Sequence, residues 1–125
     1  MRKEVINWLK QANKDLEVAE KTLHLNEYYS VVFWCQQAVE KGLKALILEK
    51  NKERIIGHSL IQLGKEAHIP KDFISKLKKL SPQYFFARYP DASEDVPYEL
   101  YDEIITKEFL EIAKEVLAWI NNQLK

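Results

Sequence analysis

Arg88 is the residue of this chain whose surroundings most suggest chemistry. It follows the aromatic run Tyr84, Phe85, Phe86 and precedes Tyr89-Pro90-Asp91. Pro90 pushes Tyr89 into an extended conformation, which ends any helix there and holds the guanidinium beside a rigid turn. An arginine fixed between one tyrosine four residues before it and another just after it suits gripping a phosphate and stacking a base. The plainer alternative is that Arg88 caps helix carbonyls or pairs with Asp91 and nearby acids. His58 is a second candidate, placed between Gly57 and a predicted helix start. There an imidazole either hydrogen-bonds the start of the helix or titrates in a cleft. A third is the polar strip Gln37, Glu40, Lys41 and Lys44, spaced i, i+3, i+4, i+7 on one helix face. Its Glu40–Lys44 pair is worth only about 0.3–0.5 kcal/mol, so the strip either lines a site or covers the flank of a core helix.

The strip rides on the segment that must organise the fold. From Tyr28 to Leu48, the residues Tyr28, Val32, Cys35, Val39, Gly42 and Leu46 repeat at alternating spacings of four and three, widened by Val31, Trp34, Ala38 and Ala45. That apolar arc is broader than a surface helix carries and predicts a central core helix. Before it, Val5, Leu9, Ala12, Leu16, Ala19 and Leu23 predict an amphipathic helix over about 2–25, with a tight turn at Asn26 that packs the two antiparallel. Ser59 with Gln62 resembles a capping box for a short helix ending near Ala67, and Pro70 stands as the first residue of a fourth helix. Ser81-Pro82 either kinks that helix or starts a new turn. Residues 88–102 read as a loop whose tyrosines lie against the body, and Thr106 is placed as N-cap of a closing helix over Lys107–Leu124. The expected fold is all-α, an up-and-down antiparallel helical bundle forming one domain over residues 1–125. Trp34 and Trp119 are expected in its core.

Composition narrows the function. Lys plus Arg and Asp plus Glu are both 19, so no polyanion-binding surface is announced by net charge. Cys35, the lone cysteine, falls on the core stripe and reads as a buried small hydrophobe. His24, His58 and His68 lack metal-ligand spacing, and there is no glycine-rich phosphate loop, GxSxG, HExxH or CxxC, so neither metal nor cofactor is expected. Asp91, Glu94, Asp95 and Glu99 read as a solvated acidic loop rather than a cation site. The amino-terminal MRKEVINWLKQ has no apolar signal region and no run is apolar enough to span a bilayer, so a cytoplasmic protein without membrane contact is expected.

Three segments carry a family resemblance: WLKQANKDL over 8–16, FWCQQAVEKGLKA over 33–45 and ARYPD over 87–91, with Gly57-His58-Ser59-Leu60 between the last two. In that order they resemble the HEPN family of small helical bundles. The resemblance implies a bundle related to the helical domain of kanamycin nucleotidyltransferase, usually a homodimer. It also implies a separately encoded minimal nucleotidyltransferase as partner in two-component, often toxin–antitoxin, systems, and nucleotide or RNA binding. Many members are metal-independent ribonucleases using an arginine, four to six intervening residues and a histidine. Here no histidine follows Arg88, and Arg54 reaches His58 across only three residues.

The first reading is therefore a HEPN module without the standard ribonuclease site. It would bind a nucleotide, RNA or nucleotidyltransferase partner through a cleft lined by Arg88, Tyr84, Tyr89, Asp91, His58, Glu40, Lys41 and Lys44. One alternative is an RNA endonuclease toxin in which Arg88 stabilises phosphate charge and His58 moves the proton. The other is a dimeric scaffold with no ligand.

Overall fold

The computed structural model describes residues 1–51, 53 and 56–125. The apolar repeat of the amino-terminal segment folds as α1 (Lys3–Leu23), and the central stripe as α2 (Tyr28–Asn51). Between them the chain reverses at Asn26, whose φ of 58° lies in the left-handed region that asparagine tolerates. The guanidinium of Arg2 donates to the carbonyl of Leu48 at 2.7 Å, so the start of α1 lies beside the end of α2 and the pair is antiparallel. Along α2 the predicted arc is buried from Val31 to Leu48 except at Trp34, and it includes Cys35, whose thiol is pushed up by burial and is thereby kept from the reactive thiolate form.

After α2 come α3 (Leu60–Glu66), α4 (Lys71–Leu80) and α5 (Gln83–Phe86). Ser59 caps α3 as expected, its hydroxyl accepting from Gln62 N–H at 3.3 Å. Pro70 is the cap rather than the first residue of α4. At Ser81-Pro82 the helix stops and a new turn begins, because proline offers no N–H to continue the ladder. Ser81 turns its hydroxyl to accept from Leu60 N–H at 2.9 Å, which fastens the start of α3 to the end of α4.

The predicted loop is short helical turns: α6 (Pro90–Ser93) and a 3₁₀ turn at Pro97–Leu100. The closing helix α7 (Glu103–Gln123) begins four residues earlier than expected. Its N-cap is Asp102, in extended backbone, whose Oδ1 accepts from Ile105 N–H at 2.8 Å. An aspartate with Glu103 behind it suits the positive helix start better than a threonine. Thr106 is instead buried inside α7, and its hydroxyl has no partner among the described residues.

Lys76 pairs with Glu115 and Phe73 packs on Trp119, so α4 and α7 are antiparallel. Asn13 and Asn121 bond one another, and Lys114 reaches Glu20, so α7 is antiparallel to α1 as well. The result is an all-α, up-and-down bundle. Trp34 and Trp119 pack against its core half-buried rather than within it. Among the described residues no helix is long and apolar enough to cross a membrane.

Tyr101 does lie against the body. Its half-buried hydroxyl donates to Gln83 Oε1, and burial pushes the phenol from its ordinary 10.0 up to about 12. The fold therefore favours the neutral ring. The stability this group contributes is complete below about pH 10 and is lost as the pH climbs toward 12. Thermal melts across that window should fall less steeply for Tyr101→Phe than for the wild type, and parallel slopes would show that Tyr101 does not titrate this way.

Candidate functional site

Two features of α2 reach toward one end of the bundle. Phe33 projects from its first turns as a half-buried ring, and Gln36 and Glu40, one turn apart, are buried polar groups at 0% and 4% exposure. The carbonyl and imidazole of His58 meet them from the segment before α3. Gln36 Nε2 donates to Glu40 Oε1 and to the His58 carbonyl, each at 3.2 Å. Glu40 holds His58 Nδ1 at 3.1 Å from both carboxylate oxygens and accepts from Lys44 Nζ at 3.1 Å.

The other face of the cluster comes from α5 and the turn after it. Tyr84 stacks on the His58 ring, with centroids 4.0 Å apart and planes 13° from parallel. Ala87 is fully buried, which anchors the backbone on which Arg88 stands exposed. Its guanidinium carbon sits 4.8 Å from the centre of Phe33, 4.9 Å from that of Tyr84 and 4.8 Å from that of Tyr89. A terminal nitrogen also donates to the Tyr89 hydroxyl. A guanidinium stacks well on such faces because it is planar and weakly hydrated. His58 and Arg88 are thus both within 5 Å of the centre of one tyrosine ring. Distant in sequence, they are neighbours in the fold.

Arg88 makes no ion pair among the described residues, Asp91 included. The guanidinium donates to no helix carbonyl there either. Tyr89 divides two surface hollows beside it. One, of about 680 Å³, is lined by His58, Tyr84, Phe85, Phe86, Tyr89 and Asp91. The other, of about 480 Å³, is lined by Arg88 and Tyr89 with Tyr29, Val96 and Tyr98. Phe85 and Tyr98 are more than half exposed, at 52% and 58%, so apolar ring surface is open to solvent on both sides of the cation.

The residues expected to line one cleft are divided: His58, Tyr84, Tyr89 and Asp91 line the larger hollow, Arg88 lines the smaller one with Tyr89 between them, and Glu40 is buried behind His58. Lys44 stands behind Glu40, its ammonium also 5.7 Å from the centre of the Trp8 ring. Lys41 lies apart. Its Nζ bonds Asp15 Oδ2 at 2.5 Å, and it borders a separate hollow with Glu4, Asn7, Trp8 and Gln11. The physical reason is that Asp15 is buried on α1 and needs a cation, which Lys41 brings from the α1-facing side of α2. Arg54 lies outside the described residues. Phe33 and Gln36 belong to the site although the residue patterns did not single them out. Gln36 had one legible signal, its i,i+4 spacing to Glu40. Among the described residues no three His, Cys, Asp or Glu side chains cluster as metal ligands would.

The HEPN domain family matches residues 5–123 of the sequence. The chain belongs to the HEPN family. Two solved structures resemble it in both sequence and fold. TT1696 from Thermus thermophilus is 31% identical, with a TM-score of 0.88 over 97% of this chain and 98% of that one. ST0689, an archaeal HEPN homologue, is 35% identical, with a TM-score of 0.83 over the full length of both. A HEPN domain protein of Thermotoga maritima, 23% identical with a TM-score of 0.74 over 94% of this chain and 97% of its own, shares the fold. Among curated proteins, the one named putative toxin MJ1304, from Methanocaldococcus jannaschii, is 29% identical over 94% of this chain and 86% of its own length.

Proposed function

We propose that this HEPN domain binds single-stranded RNA or a nucleotide at the Arg88 end of the bundle, in a toxin-like two-component role. The observation that carries this reading is Arg88 itself. It is an exposed arginine framed by three aromatic rings and without an acidic partner among the described residues. An uncompensated guanidinium offers a phosphate a bidentate partner, and the exposed faces of Phe85 and Tyr98 offer bases something to stack on. The likeness to the protein named putative toxin MJ1304 supports the toxin-like part. The family resemblance supplies the proposed assembly, a homodimer meeting a separately encoded nucleotidyltransferase, and co-purification of the two gene products tests it.

Fluorescence anisotropy with a labelled oligoribonucleotide tests the site. Arg88→Ala should weaken binding by roughly tenfold or more, the range of one charge-assisted bidentate contact. Equal, negligible binding by wild type and variant would instead favour the ligand-free scaffold.

The placement of His58 and Arg88 against the same Tyr84 ring favours a second reading, metal-independent RNA cleavage. In it Arg88 would stabilise phosphate charge and His58, backed by Glu40, would take or give the proton of the 2′-hydroxyl. Cleavage of mixed RNA in excess chelator that is lost in both Arg88→Ala and His58→Ala would establish this reading over simple binding.

A further inference from the structure

Another hollow, of about 540 Å³, lies between α4 and α7 and shares no lining residue with the two around Arg88. Its floor is the row Ile105, Phe109 and Ile112 of α7, spaced i, i+4, i+7. Helices of unequal length open it. α4 has 10 residues and α7 has 21, which makes them about 15 and 32 Å long at roughly 1.5 Å per residue. Phe73 packs on Trp119 and Lys76 reaches Glu115, so α4 shields the carboxyl-terminal half of this face. In that antiparallel register α4 stops at Leu80, level with the neighbourhood of Glu111, and the turns of α7 before it outrun α4. Phe109 and Ile112 are accordingly only partly buried against the core. Ile105 is 37% exposed, and Ile104, at the end of the adjacent row, is 74% exposed.

We propose that this groove docks an amphipathic helix of a partner protein, one with an apolar row facing Ile105, Phe109 and Ile112 and basic residues along the edge that meets α7. The two banks carry opposite charge, with Lys76 and Lys79 on α4 and Glu108, Glu111 and Glu115 on α7. Lys76 is held by Glu115, while Glu108, Glu111 and Lys79 make no ion pair among the described residues. Two carboxylates and one ammonium are thus left for an occupant, so a cationic helix is matched and a phosphate backbone is repelled. The spacing also selects a helix. A row at i, i+4, i+7 interdigitates with the ridges of another helix, whereas an extended peptide finds no strand edge to join among the described residues.

A labelled peptide of about 18 residues, long enough for roughly five helical turns, tests the groove. The probe carries a leucine row at helical spacing flanked by lysines, and a scrambled form keeps the composition but loses the row. Fluorescence anisotropy should show saturable binding of the probe and none of the scrambled form. Ile105→Glu, which puts a charge at the exposed end of the floor, should weaken binding roughly tenfold. Glu108→Lys/Glu111→Lys should weaken it by a similar factor and should gain binding of a peptide with glutamates in place of the lysines. A misfolded variant could not give that gain. Amide shifts on adding the probe should concentrate on residues 105–112 and the last turn of α4. The proposal is overturned if the wild type does not bind the probe, if the scrambled form binds as tightly, or if both variants bind like the wild type. It is also overturned if the wild type without peptide sediments as a dimer and Ile105→Glu as a monomer, since a second copy of the chain is then the occupant.

Discussion

Lys41→Met is expected to lower the unfolding free energy by about 3 kcal/mol, the range for stripping one partner from a buried ion pair. Asp15 is 1% exposed and carries a charge that the variant leaves with one hydrogen bond among the described residues, from Gln11 Nε2 at 2.8 Å. The side chain of Lys41 is 21% exposed, so water can partly replace its ammonium, and the expected cost sits at the low end of that range. Urea denaturation should show a lower midpoint with an unchanged slope. The double variant Asp15→Leu/Lys41→Met should recover most of the loss, because no lone charge then remains buried. A single variant within about 0.5 kcal/mol of the wild type would mean the pair behaves as a surface bridge. Binding of an oligoribonucleotide should be unaffected, since Lys41 lies outside the Arg88 grooves.

The second large effect lies where α2 meets α7. Leu117 is 1% exposed and packs against Gly42, where a Cβ would stand 2.7 Å from its Cδ1 and 3.1 Å from Ile120 Cδ1. Leu117→Ala should therefore cost about 3 kcal/mol in lost burial and cavity. Gly42→Ala gains up to about 1 kcal/mol in helix propensity but forces the two side chains aside, for a net loss of about 1 kcal/mol. Together the two changes should cost less than their sum by about 1 kcal/mol, because the new methyl fills part of the space that Leu117 vacates. Strict additivity in a double-mutant cycle would show that the helices do not approach through Gly42.

How much of this was legible from residues alone depends on the range of the interaction that decides it. The pairing of α1 with α2 follows from two matched apolar repeats and a short turn, all local features, and the Ser59 cap depends on a residue three positions away. Thr106 shows the limit. A hydroxyl in a plausible capping position is outcompeted by Asp102, and only the path of the preceding turn determines which of the two meets the free N–H groups. The site divides along the same line. Arg88 with Tyr84 and Tyr89 could be read off one short stretch, whereas Phe33, the third ring against the guanidinium, comes from a helix more than fifty positions earlier. Lys41 and Lys44 are three positions apart on one strip, yet the first serves buried Asp15 on α1 and the second serves Glu40. Periodicity gives the face of a helix, but not which neighbour's buried charge that face must neutralise.

Among the described residues the bundle holds two buried polar clusters in different surroundings. Asp15–Lys41 sits between α1 and α2 and bears on stability, while Gln36, Glu40 and Lys44 back a histidine that is itself exposed. Beside that histidine stands an arginine held by rings instead of acids. This contrast is why ligand binding is proposed at the Arg88 end.

An NMR titration of the wild-type protein with a short single-stranded oligoribonucleotide tests that assignment most directly. Binding at the Arg88 end predicts saturable shifts concentrated on the Arg88 Nε–H, the His58 ring and the amides of Tyr84, Phe85 and Tyr89. Shifts confined to the hollow beside Trp8 and Lys41, or to the face between α4 and α7, would contradict it.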